Sequence, residues 1–424
     1  MRIHRYFLCA SLGVFLVTAL AAAQTPAAKP QPSSANQQAI EALAGRLIAA
    51  PDEDARNALL SENKDLVTVD LTRALATKGD QLRRKRGSFA EEHHVYDIAL
   101  AVAERQNDPR QIGICLSNIS LAFKDESDYE QALVYAHKSI ATLEPLKDPY
   151  LAQVYNNMGV VLKLQGNFTE AVDYYDRALK LSEAQGNKQR IAQASFNLGN
   201  VYGDMGNFRL ALVEFKRSME LSEALGDQMR LGFNTNSIGS VYETQGDYDL
   251  ALSYYQQSLK IKEKAANQNE IANVLGNIGW LYHEMGKDAQ AQEYLEKALK
   301  LKEAAGDKNG AAEALHDEGS VLAEQGNYSE ALQRYHASLD VSKALGNKFL
   351  VEQTLTEISQ AYRAQKDFPH ALESAQQALQ LARQIGSGGV LYPALDATAM
   401  ALAGSGKAEQ GRALLAQSIS AIED

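Results

Sequence analysis

An all-α fold is predicted, a solenoid of stacked helix pairs, and three observations predict it. Small residues recur at a strict forty-residue interval as Gly159, Gly199, Gly239, Gly279 and Gly319, and the series runs on through Ser359 and Ala399. A second glycine follows seven positions later, at Gly166, Gly206, Gly246, Gly286, Gly326 and, past a lapse to Lys366, at Gly406. Between these marks, small and apolar residues return at helical spacing, as Ala211, Phe215 and Ser218 do. A fixed period of this length means stacked units, none of which buries its apolar faces alone.

The chain opens with Arg2 and Arg5, an apolar run from Tyr6 to Val17, and small residues at Ala21 and Ala23. That order is predicted to be an export signal, residues 1–23, cleaved after Ala23. Its apolar run is shorter than the roughly 20 residues a spanning helix needs, and no later stretch is apolar enough, so no integral membrane segment is expected after cleavage. Cys9 lies inside the run behind bulky Leu8, which disfavours a lipid anchor. Cleavage leaves Cys115 alone, so no internal disulfide is expected.

Residues 24–36, with Pro26, Pro30 and Pro32, are predicted to be a disordered Pro/Ala-rich linker. Ile40, Leu43, Leu47 and Ile48 then fall at helical spacing, and Pro51-Asp52 ends that helix and starts another to about Leu60. Residues 37–70 are therefore expected to be an N-terminal helical cap. An array of about eight repeats should fill residues 71–390. Its first two units are degenerate. In the first, Gly87 and Phe89 match Gly166 and Phe168, which leaves Asp80 where a small residue is expected; in the second, Tyr129, Ala132 and Ser139 stand one position out of phase. Residues 391–424 are expected to form a partial C-terminal capping repeat with Gly406 and Ser418 but no aromatic.

Within a unit, a first helix such as Ile191–Met205 ends at Gly206-Asn207, where glycine takes the left-handed conformation that closes a helix. The second, Phe208–Leu225, carries Ala211, Phe215 and Ser218 on one face. Small residues let the two helices approach, and Tyr202, Phe208 and Phe215 fill the space between them.

Gly199 and Tyr202, then Ala211, Phe215 and Ser218, resemble the tetratricopeptide pattern W-x2-L-G-x2-Y, A-x3-F and a later alanine. Asn197-Leu198-Gly199-Asn200 is similar to the forty-residue variety of Leu-Gly-Asn polarity scaffolds and kinesin light chains. The tryptophan position is held instead by Tyr155, Ser195, Thr235 and Leu275, and longer helices replace the usual closing proline. The resemblance implies a right-handed superhelix whose first helices line a concave peptide-binding groove. It also implies groove positions two before, three before, one after, four after and five after each repeat glycine. Two before stand Asn157, Asn197, Ser237 and Asn277; three before, Phe196, Asn236 and His316; one after, Asn200 and Trp280. An asparagine amide both donates and accepts, so a row of them can pair with the main chain of an extended peptide, or else satisfy neighbouring helix ends. Trp280, the one tryptophan, is either a binding anchor or a packing residue against the next repeat.

Charge and motif content narrow the function. Asp and Glu number 53 against 42 Lys and Arg, a net charge of −11, which disfavours nucleic acid as a partner. The basic run Arg83-Arg84-Lys85-Arg86 is either a solvated helix face or a docking point for an acidic partner or anionic lipid. His283-Glu284 and Glu313, His316, Asp317 and Glu318 are metal-capable residue types, but helical rise sets His283 and His316 about 10 Å apart, so no metal is expected. Glu318 replaces Met158, Leu198, Ile238 and Ile278, which implies a buried polar pairing or a weakened repeat. Cys115 lies on an apolar face with Ile112, Leu116 and Ile119, as a core thiol does. With no catalytic motif and no cofactor motif, the chain is expected to be an exported, periplasmic or secreted, non-enzymatic scaffold for a protein or peptide ligand. The alternative is a regulatory or sensor subunit whose superhelix responds to a peptide and controls an enzyme partner.

Overall fold

The computed structural model describes residues 34–84, 89–385 and 388–423, which form twenty α-helices and one 3-10 turn, with no strand among them. The expected export signal lies outside the described residues, as do Lys85, Arg86 and Gly87. Of the expected linker only Ser34–Asn36 are described, and they already belong to the first helix. The chain divides into two units, one ending at Arg230 and the other starting at Leu231.

The first unit opens with α1 (Ser34–Ala49) and α2 (Glu53–Glu62). Asp52 caps α2 by accepting from the Ala55 N–H at 2.8 Å. Ile40, Leu43, Leu47 and Leu60 of these helices pack with Leu71, Leu75, Ile98 and Val102 of the first pair, α3 (Val69–Arg84) and α4 (Phe89–Arg105). Three further pairs follow: α5 (Pro109–Asp125) with α6 (Tyr129–Leu143), α7 (Leu151–Leu164) with α8 (Phe168–Ala184), and α9 (Lys188–Asp204) with α10 (Phe208–Leu225).

The division between units falls inside α11 (Gln228–Thr244), whose partner is α12 (Tyr248–Lys264). The second unit continues as α13 (Gln268–Glu284) with α14 (Asp288–Ala304), α15 (Lys308–Glu324) with α16 (Tyr328–Leu345), and α17 (Lys348–Ala364) with α18 (Phe368–Ile385). It ends with α19 (Gly388–Gly404) and α20 (Ala408–Glu423), a complete pair where a partial repeat from residue 391 is the expectation from sequence.

The repeat glycines are places of close approach. A Cβ added at Gly199 would stand 2.5 Å from the Phe215 ring, and at Gly159, Gly239 and Gly319 it would stand 2.7, 2.8 and 2.7 Å from Tyr175, Tyr255 and Tyr335. Those four rings are at most 1 % exposed, so each glycine is the wall of a fully buried aromatic site. Gly279 meets Leu295 in the same way at 2.8 Å. The first pair follows the rule too: the small residue is Gly79, 2.5 Å from the Tyr96 ring, and Asp80 beside it accepts from the Tyr96 hydroxyl at 2.7 Å. The sequence match through Gly87 is thus one residue out of register.

A second contact ties the helices of a pair. Ser218, Ser258 and Ser338 each donate to a carbonyl of the first helix, at Ala192, Gly232 and Ala312, all at 2.7 Å, and Ser139 donates to Gly113 at 2.6 Å. Serine stands here because a small side chain fits and its hydroxyl, buried, has an acceptor. Glu318 is explained as well: it is buried in an ion pair with Arg334 at 3.1 Å, and burial raises its pKa against that cation.

Candidate functional site

In each unit the candidate surface is the face of the first helices, and one rule governs the amides in both. The side chain two before a repeat glycine donates to the side chain three before the small residue of the preceding pair. Asn197 Nδ2 bonds Asn156 Oδ1 at 2.8 Å, Asn277 Nδ2 bonds Asn236 Oδ1 at 3.0 Å, and Asn157 Nδ2 bonds Ser117 Oγ at 3.2 Å. Asn157 also accepts from Gln153 at 2.9 Å and is buried, whereas Asn197, Asn236 and Asn277 are half-buried. Of the expected site residues, then, Asn236 and Asn277 bond one another, while Asn157 and Asn197 bond Ser117 and Asn156. Asn156 satisfies the position rule and Ser117 does so once Ser120 is taken as its repeat's small residue. Each rung uses one of the two N–H donors of its amide.

The aromatic candidates lie beside these rungs. Phe196 is half-buried with its ring centroid 5.8 Å from that of Phe215, and Asn200 is half-buried. Trp280 is half-buried and meets the His283 ring edge-on at 5.6 Å. Ser237 is buried. His316 shares a hydrogen bond with Thr354 Oγ1 at 3.2 Å and packs on the Tyr335 ring. His283 lies between Asp288 at 3.0 Å and Glu324 at 3.2 Å. Among the described residues no group of three or more His, Cys, Asp or Glu is placed to hold a metal ion.

A charged row runs alongside. The residue four after one small residue pairs with the residue five after the next: Arg83 with Asp125 at 3.8 Å, Lys163 with Asp204 at 3.0 Å, His283 with Glu324 at 3.2 Å. Glu243 stands where a cation would, with Glu284 in the carboxylate position. Burial pushes Glu243 up to about 8, and the charge of Glu284 adds to the rise while the Tyr255 hydroxyl, which donates to Glu243, opposes it. Burial likewise lifts Glu92 to about 7 and Glu352 to about 7. Cys115 is buried and its thiol is pushed up to about 12 by that burial, which keeps it protonated and a poor nucleophile.

Helix pairs at this spacing, with their glycine–ring contacts, define a class of protein, and the family comparison agrees. The tetratricopeptide repeat model matches residues 150–224, 233–304 and 310–384, more than half of the chain, and the chain belongs to that family. The photosystem I assembly protein Ycf3 of Acaryochloris marina is 31 % identical over 110 residues; the match covers 23 % of this chain and 61 % of that protein's length. Among solved structures, aspartyl phosphate phosphatase F from Bacillus subtilis is similar in fold, with a TM-score of 0.55 at 18 % identity over 85 % of this chain and 96 % of that one. A Rap protein complexed with Competence and Sporulation Factor gives a TM-score of 0.54 at 14 % identity, over 83 % of this chain and 99 % of that one. No helix among the described residues is long and apolar enough to cross a membrane.

Proposed function

We propose that this chain is a non-enzymatic interaction scaffold that holds an extended segment of a protein or peptide against the face of its first helices. The amide rungs carry the reading. Packed helices lie 8–10 Å apart and an extended chain rises about 3.3 Å per residue, so amides repeated from helix to helix meet such a chain about every third residue. Rungs such as Asn197–Asn156 fix the side chains before any ligand arrives, which lowers the ordering cost of binding. Half-buried Phe196 in the first unit, and Trp280 in the second, supply apolar contact on the first-helix face of their own unit. The likeness in fold to a Rap protein held in complex with a factor supports the reading. We also propose that the chain acts after export, because residues 1–23 have the order of a cleaved leader.

Photo-crosslinking in the native host tests this. A photoreactive residue at Asn200, on the first-helix face, is expected to capture a defined partner that the same residue at Glu220, exposed on the second helix α10, does not. Equal capture from both positions would refute a first-helix site. Amino-terminal sequencing of the mature protein checks the leader: a start at Gln24 is expected, and a start at Met1 contradicts export by this route.

A further inference from the structure

The first unit holds a cavity that none of the rows above uses. It measures about 270 Å³ and opens between the first helices of the first two pairs, α3 and α5, and the ring of Tyr150 just ahead of α7. Arg73, Arg110, Thr72 and Tyr150 give its polar wall, and Ile114 and Cys115 its apolar one. Two guanidinium groups line it and no carboxylate does, in a chain of net charge −11.

Both arginines have donors to offer. Arg73 pairs with Asp70 at 3.3 Å, one turn away on the surface, with side chains 63 % and 43 % exposed. An exposed pair of that kind is weak, so a ligand competes with it at little cost. Arg110 bonds Asp148 Oδ2 through Nε at 2.7 Å, and the guanidinium carries four further N–H groups. Asp148 is buried and also accepts from the Tyr150 backbone N–H at 2.8 Å, so one carboxylate ties the guanidinium to the main chain at Tyr150. At its far end the Tyr150 phenol lies near Ser117, the acceptor of the Asn157 amide at 3.2 Å. Arg190 adds a third guanidinium 6.0 Å from the Tyr150 ring. The result is a recess with guanidinium N–H donors on its wall, carboxylates of Asp70, Asp80 and Asp148 behind them, and an apolar floor, of about nine water volumes.

We propose that this recess binds a small carboxylate with an apolar body, the charge held by Arg73 and Arg110 and the body against Ile114 and Cys115. Two oxygens against paired guanidinium N–H groups make the short, charge-assisted contacts that select a carboxylate over an uncharged amide. Ser117, of one amide rung, borders the recess, but the site does not depend on the rungs carrying a ligand.

Titration calorimetry on the full chain tests it, with N-acetyl-leucine as probe and N-acetyl-leucinamide as the same body without charge. The acid is expected to bind and the amide not. Arg73→Gln, at an exposed side chain, and Ile114→Phe, which fills the floor, are each expected to weaken acid binding about tenfold or more with melting temperature retained, while Glu220→Ala, exposed on α10, leaves it unchanged. A pentapeptide ending in leucine, run beside its amidated form, separates a chain terminus from a free acid as the source; binding of either carboxylate supports the site. Failure of every carboxylate to bind, equal binding of acid and amide, or an Arg73→Gln chain that binds the acid as the parent does, overturns it.

Discussion

Apart from the last pair, which has Ala399 at the small position, two kinds of helix pair share this chain. In one, the first helix offers glycine and the second answers with a large side chain: Gly79 with Tyr96, Gly159 with Tyr175, Gly199 with Phe215, Gly239 with Tyr255, Gly279 with Leu295, Gly319 with Tyr335. In the other, serine stands at the glycine position and alanine at the ring position, as Ser120 with Ala136 and Ser359 with Ala375, all four buried. The serine hydroxyl then donates to a carbonyl of the second helix, Ser120 to Ala132 at 2.7 Å and Ser359 to Ala371 at 2.8 Å. The repeat therefore preserves a filled volume between helices, which either partner can supply. Glycine with a ring does it by apolar burial, serine with alanine by a smaller core and a hydrogen bond.

The most damaging way to break this comparison is to mix the two solutions. Phe215→Ala alone is expected to cost about 3–5 kcal/mol, the range for emptying a buried aromatic site. Gly199→Ser alone puts new atoms where the ring stands 2.5 Å away and is expected to cost about 1–3 kcal/mol. The double change recreates the Ser359–Ala375 arrangement and is expected to be less damaging than the sum of its parts by about 1–3 kcal/mol in equilibrium urea unfolding. Strict additivity would show that the two positions do not share a volume.

A smaller effect separates the pairs by pH. Glu352, in the first helix of the Ser359 pair, is 1 % exposed and raised to about 7 by burial, with Thr356 donating to it at 3.0 Å in opposition. Its folded pKa lies above the ordinary value of 4.5, so its stabilising contribution is complete below pH 4.5 and is lost as pH rises through 7. The loss amounts to about 3 kcal/mol for a shift of that size. Glu352→Gln, which keeps the shape and an acceptor for Thr356, is expected to flatten that part of the decline in thermal stability between pH 5 and pH 8 and to leave stability near pH 5 little changed. A variant that loses stability over this range as steeply as the parent would show that Glu352 is not the group responsible.

What the sequence yielded follows from what a forty-step period can carry. Gly159 to Gly319 sit at constant spacing, so both the helix pairs and the close-approach sites were legible from residue type alone. Gly79 was not, because the Gly79–Tyr96 separation is one residue longer than Gly159–Tyr175, and matching Gly87 to Gly166 shifted the expectation onto Asp80. Ser120 escaped for the related reason that its pair is one residue out of phase with the next. For the candidate site, the rows holding Asn157, Asn197 and Asn277 were legible as rows. Their rungs were not: Asn197 reaches Asn156 across 41 residues, a period plus one, so the two partners stand in different rows of the repeat. The recess at Arg73 and Arg110 left no periodic signal, since it occurs where the repeats are least regular.

The same two pairs differ at a second place, which gives the mildest test. Seven residues after the small residue the chain turns with positive φ, and the glycine-type units of the regular series use glycine there, as Gly206 does at 73°. Both serine-type pairs lack it: Ser127 takes 65° and Lys366 takes 64°. A side chain with a Cβ is strained in this left-handed region by about 1–2 kcal/mol, part of which glycine would return as extra freedom of the unfolded chain. Lys366→Gly and Ser127→Gly are each expected to gain about 0.5–1 kcal/mol, and Gly206→Lys to lose a similar amount, read as shifts in thermal midpoint. If the glycine variants melt lower than the parent, the serine-type pairs draw stability from these turns in some other way, and the two kinds of pair are then alternative designs throughout and not merely at the contact between helices.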